Sequence, residues 1–101
     1  MSRNGKKQTK DTRAIESLLR SKGYHDVQAY RENWASIRIR VIDARFKGKS
    51  RVQREKMVLP IVRSLPNEIQ MDLTLLLLIT PDEKDDSLTN MEFEAPTPSR
   101  L

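Results

Sequence analysis

The chain contains no cysteine, a single histidine (His25) and only five aromatic residues in 101. Without thiols it can form no disulfide, no zinc–thiolate site and no cysteine nucleophile. One histidine excludes a multi-histidine metal site within one chain. It lies beside Asp26 between two expected elements and reads as a surface residue. Five aromatics, Tyr24, Tyr30, Trp34, Phe46 and Phe93, give few platforms on which nucleic-acid bases could stack. Long apolar runs are also missing. The longest, Leu75–Ile79, is far short of the ~20 residues that span a bilayer. The apolar share, 37%, lies below the usual ~45–50%, so part of the chain carries too little to bury. These absences point to a small, soluble, cytoplasmic protein with no membrane partner and no resident metal or cofactor.

What is abundant is charge, unevenly placed. The whole chain carries a net +5. Residues 81–101 hold six acidic against two basic residues, leaving 17 basic against 8 acidic in residues 1–80. With Pro81, Pro96 and Pro98 and few apolar residues, the segment 84–101 reads as a disordered acidic tail. Residues 1–10, with Arg3, Lys6, Lys7 and Lys10 and no acid, lack the apolar stretch of a secretory signal and read as a disordered basic arm. The folded unit is then residues 11–83, small but large enough to fold alone.

Within it, Asp11 or Thr12 is placed to cap a helix over 12–22. Ile15, Leu18 and Leu19 form its apolar stripe, and Gly23 is suited to the left-handed position beyond its end. Val27–Tyr30 and the alternating Ile37-Arg38-Ile39-Arg40-Val41 form a hairpin with one buried face, the loop lying at about 31–36. Ser50-x-x-Gln53 matches a capping box. Pro60 predicts a break near 58–59 and a further helix over 60–65 ended by Pro66-Asn67. Leu73–Ile79 reads as a strand covered on both faces. The expected fold is α/β (α+β) in the order α-β-β-α-α-β. A helical crossover makes the second and third strands parallel in a three-stranded mixed sheet with helices on one face.

Arg45-Phe46-Lys47-Gly48-Lys49-Ser50-Arg51-Val52-Gln53-Arg54-Glu55-Lys56-Met57-Val58 resembles the signature of the BolA family, an F-x-G turn leading into V-x-R-H-x-x-V on a helix. Thr80-Pro81-Asp82-Glu83 resembles the T-P-E-E that follows that family's last strand. The resemblance covers about residues 12–83. It implies a fold similar to the type II KH domain. It also implies either nucleic-acid-linked regulation, of transcription and stress responses, or partnership with monothiol glutaredoxins through a shared iron–sulfur cluster. The chain departs from the pattern where the family has histidines: Glu55 follows the signature arginine and Asp72 stands at the start of the last strand. The family's longer hairpin loop, which can supply another histidine or a cysteine, is shortened here to about 31–36. Such clusters favour thiolate or imidazole ligands, so a glutaredoxin-type partnership here would proceed without cluster ligation.

The strongest functional signal is the stretch 38–56. Arg38, Arg40, Arg45, Lys47, Lys49, Arg51, Arg54 and Lys56 face only Asp43 and Glu55 there, a net +6. This is either a solvated basic face or a nucleic-acid-binding surface on which helix-terminal amides and cations meet phosphate. The KH-type G-x-x-G loop reads Gly48-Lys49-Ser50-Arg51, without its second glycine. Gly48-Lys49-Ser50 also matches the end of a phosphate-binding P-loop, but Asp43 occupies the place of that loop's first glycine. The acidic tail could fold back on the basic face and compete with an anionic ligand. Trp34, in or beside the hairpin turn, is either tucked onto the core or an exposed anchor for a protein partner. No constellation for acid–base or nucleophilic catalysis stands out, and no small-molecule substrate is expected. The reading is a non-enzymatic BolA-like module engaging DNA or RNA through the 38–56 face. The alternative is a protein-interaction adaptor of the glutaredoxin-partner type.

Overall fold

A computed structural model describes residues 6–97. Its elements are α1 (Lys10–Ser21), β1 (Asp26–Asn33), β2 (Ser36–Ile42), α2 (Arg51–Val62), α3 (Asn67–Asp72), β3 (Leu73–Ile79) and α4 (Leu88–Glu94). The sheet order is β1-β2-β3, with β1 antiparallel and β3 parallel to the central β2. The mixed three-stranded sheet of an α+β fold is therefore as the sequence predicts, and α4 is an addition to it. No helix among the described residues is long and apolar enough to cross a membrane.

Helix α1 begins earlier than predicted because Thr9, not Asp11 or Thr12, caps it. Thr12 sits in the first turn and returns the hydrogen bond in a reciprocal box. The helix ends as expected. Gly23 adopts φ +94°, its N–H bonds to the Arg20 carbonyl and the Tyr24 N–H to that of Leu19, a Schellman closure. The basic arm is not loose where it is described: Lys7 pairs with Arg31 of β1 and Lys10 already belongs to α1. Residues 1–5 of that expected arm lie outside the described residues.

The hairpin turns through Trp34 and Ala35 alone, with the Asn33 side chain accepting from the Ala35 N–H at 2.8 Å. Ser50 and Gln53 cap α2 reciprocally, as their spacing predicts. The break expected near 58–59 is absent. Helix α2 runs through Pro60 to Val62, and the Arg63 N–H still reaches the Leu59 carbonyl at 2.8 Å. Val58, Ile61 and Val62 form one stripe on the core from both sides of the proline. That burial outweighs the single hydrogen bond the proline removes. The next helix consequently comes later, at Asn67–Asp72 rather than 60–65, and Pro66 precedes it instead of ending a helix.

Strand alternation divides the core in two. Val27, Ala29, Ile37, Ile39, Val41 and Leu78 face α1, α2 and α3 together with Phe46 and Ile15. Tyr30, Ile42, Leu77 and Ile79 face the other way and are closed by Phe93 of α4. Two expectations are corrected here. Helices cover both faces of the sheet rather than one, and the acidic segment 84–101 is not loose over Leu88–Glu94. Its composition hides a short amphipathic helix whose Asn90 and Phe93 are buried against the sheet. Its carboxylates reach Arg38 and Arg40. Residues 98–101 of that tail lie outside the described residues. The leucine strand is also less enclosed than expected: Leu77, Leu78 and Ile79 are buried, whereas Leu73, Leu75 and Leu76 are half-exposed at the sheet's edge.

The Phe93 ring lies tilted at 57° against that of Tyr30, centroids 4.9 Å apart, and the Tyr30 hydroxyl donates to the Phe93 carbonyl at 2.6 Å. Phe93→Ala is expected to lower unfolding stability by about 3–5 kcal/mol, read as a lower midpoint in urea. A tail lying loosely outside the fold would leave the midpoint unchanged.

Candidate nucleic-acid interface

The eight basic residues of 38–56 do not form one surface. Alternation on β2 points Arg38 and Arg40 away from Ile37, Ile39 and Val41, as predicted, but α4 lies over them. Arg40 is only 7% exposed. Its guanidinium donates to Asn90 and Glu94, each at 2.7 Å, and to Gln28 at 3.1 Å, and rests on the Phe93 ring. Arg38 is held between Glu32 at 3.0 Å and Glu92 at 3.1 Å. The strand face expected to be open and basic is thus a neutralised interior layer. Acidic residues of the C-terminal segment do lie on it, Glu92 against Arg38 and Glu94 against Arg40.

Two further cations are committed elsewhere. Arg54 forms a two-pronged pair with Glu83, 2.6 and 2.9 Å, and also donates to the Leu78 carbonyl. Its stem rises from the first turns of α2, while Glu83 is fixed by a capping box with Thr80. The Thr80–Glu83 turn therefore ties the end of β3 to α2. Arg45 pairs with Asp43 and lies 4.1 Å from the centre of the Tyr24 ring, which stacks on Phe46. Arg51 makes an exposed pair with Glu55 one helical turn on, a contact worth little in water.

Lys47, Lys49 and Lys56 are exposed and form no ion pair among the described residues. Lys47, Lys49 and Arg51 surround Gly48, whose φ of +73° makes the tight turn before α2 and around which a Cβ would meet nothing within 4 Å. The first amides of α2 open onto this turn, because Ser50 satisfies only that of Gln53. What the chain presents to an anion is a compact cluster of three cations at a helix N-terminus, smaller than the predicted stretch.

Beside this turn lies a groove of about 520 Å³, floored by Leu75–Leu78, with Lys49, Arg51 and Glu55 on one bank and Thr89 of α4 on the other. The groove was not legible in the sequence. The uncharged leucine run was its only trace, and such a run reads equally as a buried strand. Trp34 is 87% exposed at the hairpin tip, which rules out its packing on the core. The carboxylates Glu55 and Asp72 are engaged within the protein, Glu55 with Arg51 and Asp72 with Arg31 at 3.0 Å. Among the described residues no group of three or more histidine, aspartate or glutamate side chains is placed to hold a metal ion. Comparison with family models, with curated proteins and with solved structures finds no match to this chain.

The Arg54 guanidinium and the Thr80 backbone hold the Glu83 carboxyl down from its ordinary 4.5 to about 2. Arg45 lowers that of Asp43 and Arg40 that of Glu94 in the same sense. A carboxylate with a lowered folded-state pKa stabilises fully above its unfolded value, and the contribution is lost as pH falls through the folded one. The melting temperature is therefore expected to hold down to about pH 5 and then drop towards pH 2. Glu83→Gln should start lower at neutral pH and show a shallower acid limb in thermal scans.

Proposed function

We propose that the chain is a non-enzymatic, BolA-like binding module that engages the phosphate backbone of DNA or RNA through the turn Lys47–Arg51. One observation carries this reading. Of eight clustered cations, Arg38, Arg40, Arg45 and Arg54 are held in intramolecular pairs and Lys56 lies further along α2, while Lys47 and Lys49, unpaired among the described residues, and Arg51, whose pair to Glu55 is exposed, flank the open, positive-φ turn at the start of α2. Backbone amides and cations in that arrangement suit phosphate oxygens and carry no base information. The element order supports the BolA-like reading, as does the path of Phe46-Lys47-Gly48 from a short turn into α2. Arginine at position 51 instead of a second glycine favours charge contact over close backbone approach. The scarcity of exposed aromatics favours contact with phosphate over stacking on bases.

A second reading rests on Trp34. An indole 87% exposed at a tight turn is suited to anchor a protein partner, in the manner of a glutaredoxin adaptor that holds no cluster.

The two readings separate in a titration of fluorescent single- and double-stranded DNA and RNA at roughly 50 and 200 mM salt. Binding through the turn should weaken steeply between those salts. In the Lys47→Ala, Lys49→Ala, Arg51→Ala triple variant it should fall at least about tenfold, with the salt slope reduced by about 2–3. Trp34→Ala should leave it unchanged. Absence of binding at the lower salt would overturn the nucleic-acid reading. Retention of a partner that is salt-tolerant and lost in Trp34→Ala would establish the second.

A further inference from the structure

The two edges of the sheet are treated differently. On β1 the outward backbone groups of Val27, Ala29 and Arg31 that the ladder leaves over are taken, all but the Val27 N–H. Arg20 donates to the Val27 carbonyl at 2.9 Å. Glu16 accepts from the Ala29 N–H at 2.9 Å, and Gln8 donates to the Ala29 carbonyl at 2.6 Å. Arg31 exchanges both its backbone bonds with Lys7. That edge is sealed except at the Val27 N–H.

The edge on β3 is open. The Ile79 carbonyl turns inward and accepts from the Asp43 N–H at the β2 side, whereas the Leu78 carbonyl turns outward to Arg54. Alternation along a parallel strand then directs the N–H and C=O of Leu76 and the N–H of Leu78 away from β2. None of these three groups has a hydrogen-bond partner among the described residues. The strand, Leu73-Thr74-Leu75-Leu76-Leu77-Leu78-Ile79, has no charge and no proline, the usual guards of a free edge.

We propose that this edge takes up an extended acidic peptide segment of a partner protein as a fourth strand. Three features choose that occupant. The open backbone groups call for another extended backbone. The groove is walled by the start of α2 on one side and by Thr89 of α4 on the other, which leaves room for a bare strand. A second copy would bring its own flanking helices and the same cationic bank. That bank carries Lys49 and Arg51 against Glu55 and attracts carboxylates on the incoming chain. The peptide and nucleic acid would then share Lys49 and Arg51 and exclude one another, while the leucine floor serves the peptide alone.

The test uses the full chain and a displayed library of random eight-residue peptides, with the enriched sequence made synthetically. The expected winners combine acidic with β-branched residues. On binding they should slow hydrogen exchange at the Leu76 and Leu78 amides. N-methylation of the central peptide amides should weaken binding at least tenfold while keeping every charge. Thr89→Trp, a change at an exposed position that fills the groove and leaves both cations, should do the same and leave nucleic-acid affinity unaltered. Three results would overturn the proposal: no enriched peptide, binding indifferent to N-methylation, or Leu76 and Leu78 amides already protected in the free protein in proportion to its concentration. The last would give the edge to a second copy. Because Thr89→Trp spares the Gly48 turn, failure here and failure of nucleic-acid binding are read separately.

Discussion

Arg40 lies in the middle of the central strand, where one face of the sheet must be closed over a guanidinium. A buried cation is tolerated only when it is paired and hydrogen-bonded. Asn90 and Glu94 supply those partners from α4, Gln28 supplies one from β1, and Phe93 gives the cation an aromatic face. The same helix brings Glu92 to Arg38 and packs Phe93 against Tyr30. Charge and apolar burial thus act together. The Nε atoms of Arg38 and Arg40 find no hydrogen-bond partner among the described residues. Apolar packing by Phe93 carries the helix, and the charges fix where it sits.

This arrangement sorts the basic residues by availability. Arginines on the strand face and at the α2–β3 junction are spent inside the fold. The residues around Gly48 remain, carried on a capped helix start and a rigid turn. Net charge alone would credit the protein with a broad cationic face. The pairing leaves a small one around the Gly48 turn. The hairpin tip and the open edge of β3 lie outside that turn and offer surfaces of different chemistry, one aromatic and one made of backbone groups.

Much of the fold was legible because the signals were local. The Ser50–Gln53 box, Gly23 and the alternation of Ile37, Ile39 and Val41 each depend on neighbours in sequence. Where partners are distant, sequence was a poor guide. Acidic composition concealed α4 because its stabilising contacts lie more than fifty residues away, at Arg38 and Arg40. Pro60 was given too much weight because the stripe of Val58, Ile61 and Val62 is a tertiary property. Helix α3 buries only Ile69 fully, too few apolar positions to show a period. In the basic stretch, Arg38, Arg40, Arg45 and Arg54 were grouped with Lys47, Lys49 and Arg51 because charge in a sequence does not reveal its counter-charge.

The central claim is that α4 withdraws the strand arginines and leaves the Gly48 turn as the contact surface. An amide-detected NMR titration of the full chain with a short single-stranded oligonucleotide tests it most directly. Shifts should concentrate at Lys47–Gln53 and leave Arg38, Arg40 and Met91–Glu94 unmoved. Shifts centred on β2 and α4 with a quiet turn, or no shifts at low salt, would contradict it.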